Sequence, residues 1–418
     1  MRYCARCVTP ETRPRIAFDE NGVCNACRYA DQKKNTKWDE KANELKAIVE
    51  PYKLLNNVYD CIIPVSGGKD SHYQIYYVKN ILKMNPLCIT FMPAIPTDIG
   101  NRNRRNMIEK LGVDHITVTP NPQIHRKLCR IMFLEHGNPF IAWIQGIYSV
   151  ATHVAIEKGI PLIIYGENGE AEYGGASDSE AGKSLDQGGI ELRVRSDRHN
   201  WKDPANWHQY EIDKKHLIPY IIPLQTEQDM AKIKRMFLGD YIPWNNNRNL
   251  FYALNVIGGF NLLERRTVGT YTHGASIDDD IDELYLWFLW VKFGFGRASK
   301  SAAPDIREGK LRRDRAIELV RMYDGEFPWY IYDKLLEYME ISEEEFWNTI
   351  KKFVGDKDNI EREKQEALNM GIQEKDIPKR IPAWQKIGEN KWKHVGTIHG
   401  EERTLEIPMK RPDKINLY

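Results

Sequence analysis

The chain has almost no net charge. Its 60 Lys plus Arg stand against 59 Asp plus Glu, a formal net of +1. That balance excludes a polybasic nucleic-acid coat and an acidic solvating tail as its main role. Long hydrophobic runs are lacking too. The longest, Leu284 to Val291, falls far short of the ~20 residues that span a bilayer. Met1-Arg2-Tyr3-Cys4 starts no apolar signal segment, so the expected compartment is the cytosol. Internal repeats and coiled-coil heptads are absent. Cysteine is sparse after residue 27. Cys61, Cys88 and Cys129 each lie in an apolar stretch and read as small buried hydrophobes, with Cys129 the one left open to chemistry.

What is present supports folding. Hydrophobic residues make up 42% of the chain, which excludes global disorder. At roughly 150 residues per domain, 418 residues suggest two or three domains. Four of the seven cysteines fall in two pairs, Cys4-x2-Cys7 and Cys24-x2-Cys27. Each Cys-x2-Cys turn brings two thiolates to one point, and two turns complete a tetrahedron. Four ligands leave no open position, so the zinc expected here is structural. Disulfides and an iron–sulfur centre are the alternatives, the former disfavoured in a reducing compartment.

The pattern divides the chain into a zinc-binding knuckle (1–35), a connecting helix (36–57), an α/β domain (58–225) and a mostly helical C-terminal region (226–418). Strands are expected at Tyr59–Val65, Leu87–Met92, His115–Val118 and Pro161–Tyr165. Helices are expected at Ser71–Met84, Asn101–Leu111, Ile124–His136 and Phe140–Lys158. Strands alternating with helices argue for a parallel sheet. Ala171 to Asp203 is polar and glycine-rich; at that length it is either a lid or a disordered insertion. The last forty residues, with Pro378, Pro382, Pro408 and Pro412, are expected to wrap the surface.

The sharpest motif is Ser66-Gly67-Gly68-Lys69-Asp70-Ser71, between the first strand and the first helix of the sheet. Glycines let the backbone approach a ligand, and the helix start offers N–H groups to phosphate oxygens. Ser66 and Ser71 add hydroxyls, Lys69 a cation, and Asp70 a ligand for Mg²⁺. It is not a Walker A loop, which needs a Gly where Ile63 stands. The hexapeptide resembles the pyrophosphate loop of the PP-loop ATPases. The resemblance implies a Rossmann-like sheet of the adenine nucleotide alpha hydrolase kind, ATP split between its α and β phosphates, and adenine beside Thr90, Phe91 and Met92.

Gly166-Glu167-Asn168-Gly169-Glu170-Ala171-Glu172-Tyr173-Gly174-Gly175 resembles the second signature of asparagine synthetases. Gly166 then joins the ATP site, Glu167 falls on that family's catalytic Glu, and Glu170 takes the place of its metal-binding Asp. Ala171 departs from the pattern, replacing the acid that follows. Nearly the whole chain resembles the N-acetyl sugar amidotransferases of the WbpG and PseA type. Besides the cysteine pairs and the Ser66–Ser71 loop, the resemblance runs through Tyr241-Ile242-Pro243-Trp244, Gly269-Thr270-Tyr271-Thr272-His273 and Lys292-Phe293-Gly294-Phe295-Gly296-Arg297. Asp305-Ile306-Arg307-Glu308-Gly309 and Arg312-Arg313 close it. It implies conversion of an acetamido to an acetamidino group, with Lys69, Asp70 and Glu167 catalytic. Tyr271, His273, Arg297 and Lys300 are expected to meet the sugar nucleotide or pyrophosphate.

Nitrogen supply is also legible. One class of glutaminase needs Cys directly after the initiator Met, where Arg2 stands. The triad class needs Cys on a small-residue elbow, which none of Cys61, Cys88 or Cys129 occupies. The chain is expected to use free ammonia or a separate glutaminase complex resembling the imidazole glycerol phosphate synthase subunits. Two rivals stand beside this reading: a PP-loop tRNA thiolase, and a zinc-knuckle scaffold on a degenerate nucleotide fold.

Overall fold

The computed structural model describes all residues except 1, 15, 54, 56–57, 168, 174–202, 224–231, 370–372, 375–380, 397, 399–400 and 413–418, and only the backbone of 170, 171, 358, 359, 363, 366 and 367. Its centre is a five-stranded sheet: β1 (Cys61–Pro64), β2 (Pro86–Phe91), β3 (Asp114–Val118), β4 (Leu162–Tyr165) and β5 (Lys234–Phe237). The order is β3-β2-β1-β4-β5 and every pairing is parallel. Alternation sets the two faces. Ile62, Leu87, Ile89, Phe91, Ile163 and Phe237 pack on α5 (Pro122–His136) and α6 (Ile141–Lys158). Cys61, Ile63, Cys88, Ile164 and Met236 face the other way. They meet α2 (Trp38–Lys53), α3 (Lys69–Tyr76) and α4 (Asp98–Leu111). A sheet covered on both faces is apolar along nearly all its strands, which is why β1, β2 and β4 read as unbroken runs.

Helix ends follow local chemistry. Thr97 caps α4 by accepting from the Gly100 N–H, and Gly112 ends the helix in the left-handed region. Asn121 and Pro122 start α5, and Gly137 stops it. The expected helix Ser71–Met84 is shorter as an α-helix; α3 passes into a π-helical turn at Tyr77–Ile81.

The fifth strand falls in the region expected to be helical. Lys234 and Arg235 mask it in the sequence, although Arg235 is buried. The knuckle also contains a helix, α1 (Asn25–Lys34), which begins at Cys24. Beyond β5 the chain is mainly helical, with α8 (Asn246–Phe251), α9 (Asp280–Phe293), α10 (Arg297–Arg307), α11 (Arg313–Tyr323), α12 (Tyr332–Met339), α13 (Glu343–Lys352) and α14 (Lys357–Asn369). The final stretch does more than wrap. Trp384–Lys386, Lys391–His394 and Thr404–Glu406 form a three-stranded antiparallel sheet. Its Trp384 is 1% exposed and donates from Nε1 to the Trp290 carbonyl at 3.0 Å.

One aromatic core joins this region to the sheet. Phe133 and Phe140 from the α5–α6 layer pack with Phe288, Phe346, Trp347 and Trp384. The cysteine knuckle is likewise docked. Its Cys4, Cys7, Cys24 and Cys27 pack with Ala298, Ala302 and Ala303 of α10 and with Ala316, Ile317 and Val320 of α11. Small alanine faces permit that close approach. Arg313 donates to the carbonyls of Cys7 (3.2 Å) and Cys4 (3.1 Å).

Candidate functional site

The chain runs outward from β1 to β3, then crosses to β4 on the other side of β1. The C-terminal ends of β1 and β4 therefore lie side by side, at the switch point where open α/β sheets bind ligands. One end carries the Ser66–Ser71 loop and the other carries Gly166 and Glu167.

The loop is held by its own serines. Ser71 Oγ accepts from the Ser66 N–H at 3.1 Å, and Ser66 Oγ accepts from the Gly68 N–H at 3.2 Å. Gly67 has φ +97°, and a Cβ there would lie 2.8 Å from the Arg104 Cα. α3 starts at Gly68 without a side-chain cap, which leaves its first N–H groups available to an anion. His72 Nδ1 lies 2.9 Å from the Gly68 carbonyl oxygen; facing an acceptor, it carries the proton. Burial keeps that imidazole neutral by lowering its pKa.

Lys69 Nζ contacts the Asp70 carboxylate and donates to Asn246 Oδ1 at 3.3 Å. Asp70 Oδ1 accepts from Asn249 Nδ2 at 2.8 Å. Burial and the negative charge of Asp70 push Glu167 up to about 7, with Lys69 acting against them. Burial, then the charges of Glu167 and Asp70, push the Tyr173 phenol well up; its hydroxyl bonds Asn246. The structure thus brings Lys69, Asp70 and Glu167 together. Carboxylates that repel one another at the mouth of an N–H-rich loop form a donor set suited to a divalent cation beside phosphates. Glu170, expected to share that cation, has a side chain outside the described residues, as does most of the expected lid.

Sequence reasoning missed three groups here. Asn246 and Asn249 arrive on α8, whose cap is Asn245, accepting from the N–H groups of Asn247 and Arg248. The Asn-rich run after Tyr241-Ile242-Pro243-Trp244 was the available signal. Asp278 reaches the loop from the segment before α9. It bonds the Ser66 hydroxyl, and burial with the charge of Asp282 pushes it up to about 6. Its neighbour Asp279 accepts from the N–H groups of Ala94 (2.8 Å) and Ile95 (2.9 Å), tying α9 to the end of β2.

The expected substrate residues separate. Lys300 is half-buried near the acids: desolvation lowers its pKa, and Asp282 and Glu167 pull the other way. Arg297 is 4% exposed and pairs with Glu283 at 2.8 Å. Tyr271 donates to Asp305 at 2.6 Å, and His273 is exposed, with Nδ1 3.2 Å from the Leu263 carbonyl. Phe91, expected beside the adenine, has its side chain in the core. Its ring is 4% exposed, packed against His125 and Tyr220, with Gly146 beneath it, and it offers no face to a nucleotide.

The sulfurs of Cys4, Cys7, Cys24 and Cys27 all lie within 4.8 Å of one another, and all four residues are buried. Cys4 and Cys27 are 3.9 Å apart, Cys7 and Cys24 3.8 Å. A tetrahedron with bonds of about 2.3 Å has edges of about 3.8 Å, so the four thiols fit a zinc ion. The other three cysteines are fully buried, and burial pushes the Cys129 thiol well up.

Residues 267–373 match the sequence model of the "LPS biosynthesis protein WbpG-like, C-terminal domain" family. A stretch of 112 residues is 31% identical to an uncharacterized protein of Methanocaldococcus jannaschii, covering 27% of this chain; the chain spans 40% of that relative. Among solved structures, the NH3-dependent NAD synthetase of Campylobacter jejuni superposes with TM-score 0.26 at 13% identity, over 44% of this chain and 77% of that one. The U34-tRNA thiolase NcsA of Methanococcus maripaludis does so with TM-score 0.28 at 16% identity, over 60% and 71%.

Proposed function

From a chain that carries the C-terminal domain of the WbpG-like lipopolysaccharide biosynthesis family behind a phosphate loop, we propose an AMP-forming, ATP-dependent N-acetyl sugar amidotransferase. Its product is an acetamidino sugar for a bacterial surface polysaccharide or flagellin glycan. The observation that carries this reading is the meeting of Lys69, Asp70 and Glu167 at the switch point.

The chemistry needs an activated amide, because an amide carbonyl is a poor electrophile. The acetamido oxygen attacks the α-phosphorus of ATP and pyrophosphate leaves, giving an adenylylated imidate. Ammonia adds to the imidate carbon, AMP leaves with the oxygen, and the amidine remains. The N-terminus of α3 and Lys69 hold the departing pyrophosphate. Glu167, at about 7, is suited to take a proton from the attacking ammonia near neutral pH. Asp70, with Glu170 as the resemblance implies, would hold magnesium, which supplies charge neutralisation on the phosphates. The four knuckle cysteines would hold zinc in a structural role.

Nitrogen enters as free ammonia or from a separate glutaminase like the imidazole glycerol phosphate synthase subunits. The thiolase rival is weakened because Cys61, Cys88 and Cys129 are all fully buried. The test is turnover of ATP to AMP by the purified chain with ammonium and a panel of acetamido sugar nucleotides. The product loses one dalton, activity vanishes in Asp70→Ala, and glutamine does not replace ammonium. ATP binding without AMP release for any acceptor would overturn the assignment.

A further inference from the structure

β4 ends at Tyr165, and Glu167 stands between it and α7 (Gly169–Tyr173), a helix of little more than one turn. A helix that short does not keep its place by its own hydrogen bonds. What fixes the segment around Glu167 must come from other parts of the chain.

Cations from two other elements hold it. The last turn of the knuckle helix α1 carries Lys33, whose Nζ donates to Glu172 Oε1 at 2.5 Å and to the Trp244 carbonyl at 3.1 Å. Arg307, at the end of α10, donates to the Glu172 carbonyl at 3.2 Å. The Trp244 contact reaches the other side of Glu167. Its ring backs Gly166, where an added Cβ would lie 3.2 Å from Trp244 Cη2. Lys33 thus bonds the helix that follows Glu167 and the residue that supports what precedes it. The Lys33 and Glu172 side chains are 17% and 20% exposed, so water screens the pair little, and removing one partner strands a largely buried charge.

α1 is itself rooted in the cysteines. Cys24 is its N-cap residue and Cys27 lies in its first turn. Less than two turns of helix separate Cys27 from Lys33. A metal held by the four thiols would fix the root of this helix, and Lys33 is near its tip.

We propose that Lys33 is a positioning residue for Glu167, through which the metal-bound knuckle holds the segment of that carboxylate beside the phosphate loop. The role of Glu167 rests on the amidotransferase reading; the new element is that the cysteine pairs reach the reaction through one lysine. Misplacing a reacting group by about 1 Å can cost on the order of 100-fold in rate, so a support of this kind acts without touching substrate.

Hydrogen exchange is read first, on the full chain without ATP or acceptor, so that it does not depend on turnover. Lys33→Met and Glu172→Gln are expected to speed exchange of the amides of residues 166–173 by about tenfold or more. Residues 297–323 should keep their protection and the metal content should stay unchanged, which establishes that the variants are folded. Lys33→Arg, which can still donate to both acceptors, should exchange like the wild type. Chelation of the metal from the wild type should release residues 166–173 as Lys33→Met does. In turnover with ammonium, Lys33→Met should lower kcat by about tenfold or more and leave KM for ATP unchanged, with Lys33→Arg restoring the rate. The proposal is overturned if Lys33→Met leaves either the exchange of residues 166–173 or kcat as in the wild type, or if chelation leaves that exchange unchanged. It is equally overturned if KM for ATP rises while kcat holds, since Lys33 would then serve nucleotide binding. Failure of the amidotransferase reading shows separately, as a wild type that releases no AMP, and the exchange comparison then still decides whether Lys33 holds the segment.

Discussion

Arg104 stands where a side chain on Gly67 would have to go: a Cβ at Gly67 would meet both the Cα and the Cβ of Arg104 at 2.8 Å. The phosphate loop is therefore clamped between β1 and α4, and its left-handed residue is fixed twice, by φ and by space. Gly67→Ala must shift α4 or open the loop. We expect a loss of about 1–3 kcal/mol in stability, set by overpacking and backbone strain. ATP-to-AMP turnover should fall to background. A folded Gly67→Ala protein with normal ATP affinity would show that the clamp does not matter.

Asn249 holds Asp70 from a fully buried position. Supporting residues of this kind commonly change activity or ion affinity by about 10–100-fold when removed. Asn249→Ala should weaken the magnesium dependence of turnover by a factor in that range. The melting temperature should shift only modestly. Comparing magnesium titrations of the two proteins checks it; superimposable curves would remove Asn249 from the site.

The knuckle should carry one metal ion per chain and lose it on chelation. Its sulfurs line the contact with α10 and α11, so demetallation should expose that alanine face. Cys24→Ser is expected to lower the melting temperature and raise protease sensitivity near residues 297–323. Elemental analysis distinguishes zinc from iron, and visible absorbance would reveal a cluster. An unchanged melting curve after complete metal removal would mean that packing alone holds the knuckle.

Two buried histidines predict an acid limit. His125 and His394 are each 3% exposed, and burial lowers both to about 4. In the unfolded chain they titrate near 6.5. Between those values the unfolded state binds more protons, so stability falls as pH drops from about 6.5 to about 4. The slope is about 1.4 kcal/mol per pH unit for each histidine. Raised carboxylates such as Asp279, at about 7, act in the opposite sense, so the difference between proteins is the measurement. His125→Gln should unfold in urea with a shallower dependence between pH 6.5 and 5 than the wild type.

The sequence was most readable where spacing is local. Cys-x2-Cys pairs and the Ser66–Ser71 loop declare themselves because the chain need only turn once to assemble them. β1, β2 and β4 were equally plain, since burial on both faces leaves an apolar run. β5 was hidden because Lys234 and Arg235 begin it. The Asn-rich run marked Asn246 and Asn249 and nothing marked Asp278, and none could be assigned to the site, because they meet the loop only through tertiary docking across 170 or more residues of chain. Asn249 and Asp70, for example, are 179 positions apart. Phe91 points its ring into the core, and the sequence carried a usable signal for that. It shares the parity of Leu87 and Ile89, and those face the α5–α6 layer.

The docking of the knuckle also has a consequence in time. Cys4 and its partner Arg313 are separated by 309 positions. At about 5–20 residues per second, a ribosome needs roughly 15–60 s to cover that distance. Four thiols that can hold a metal thus emerge long before the helices that bury them. Metal capture is set to be an early event of synthesis, and closure of the molecule around it a late one.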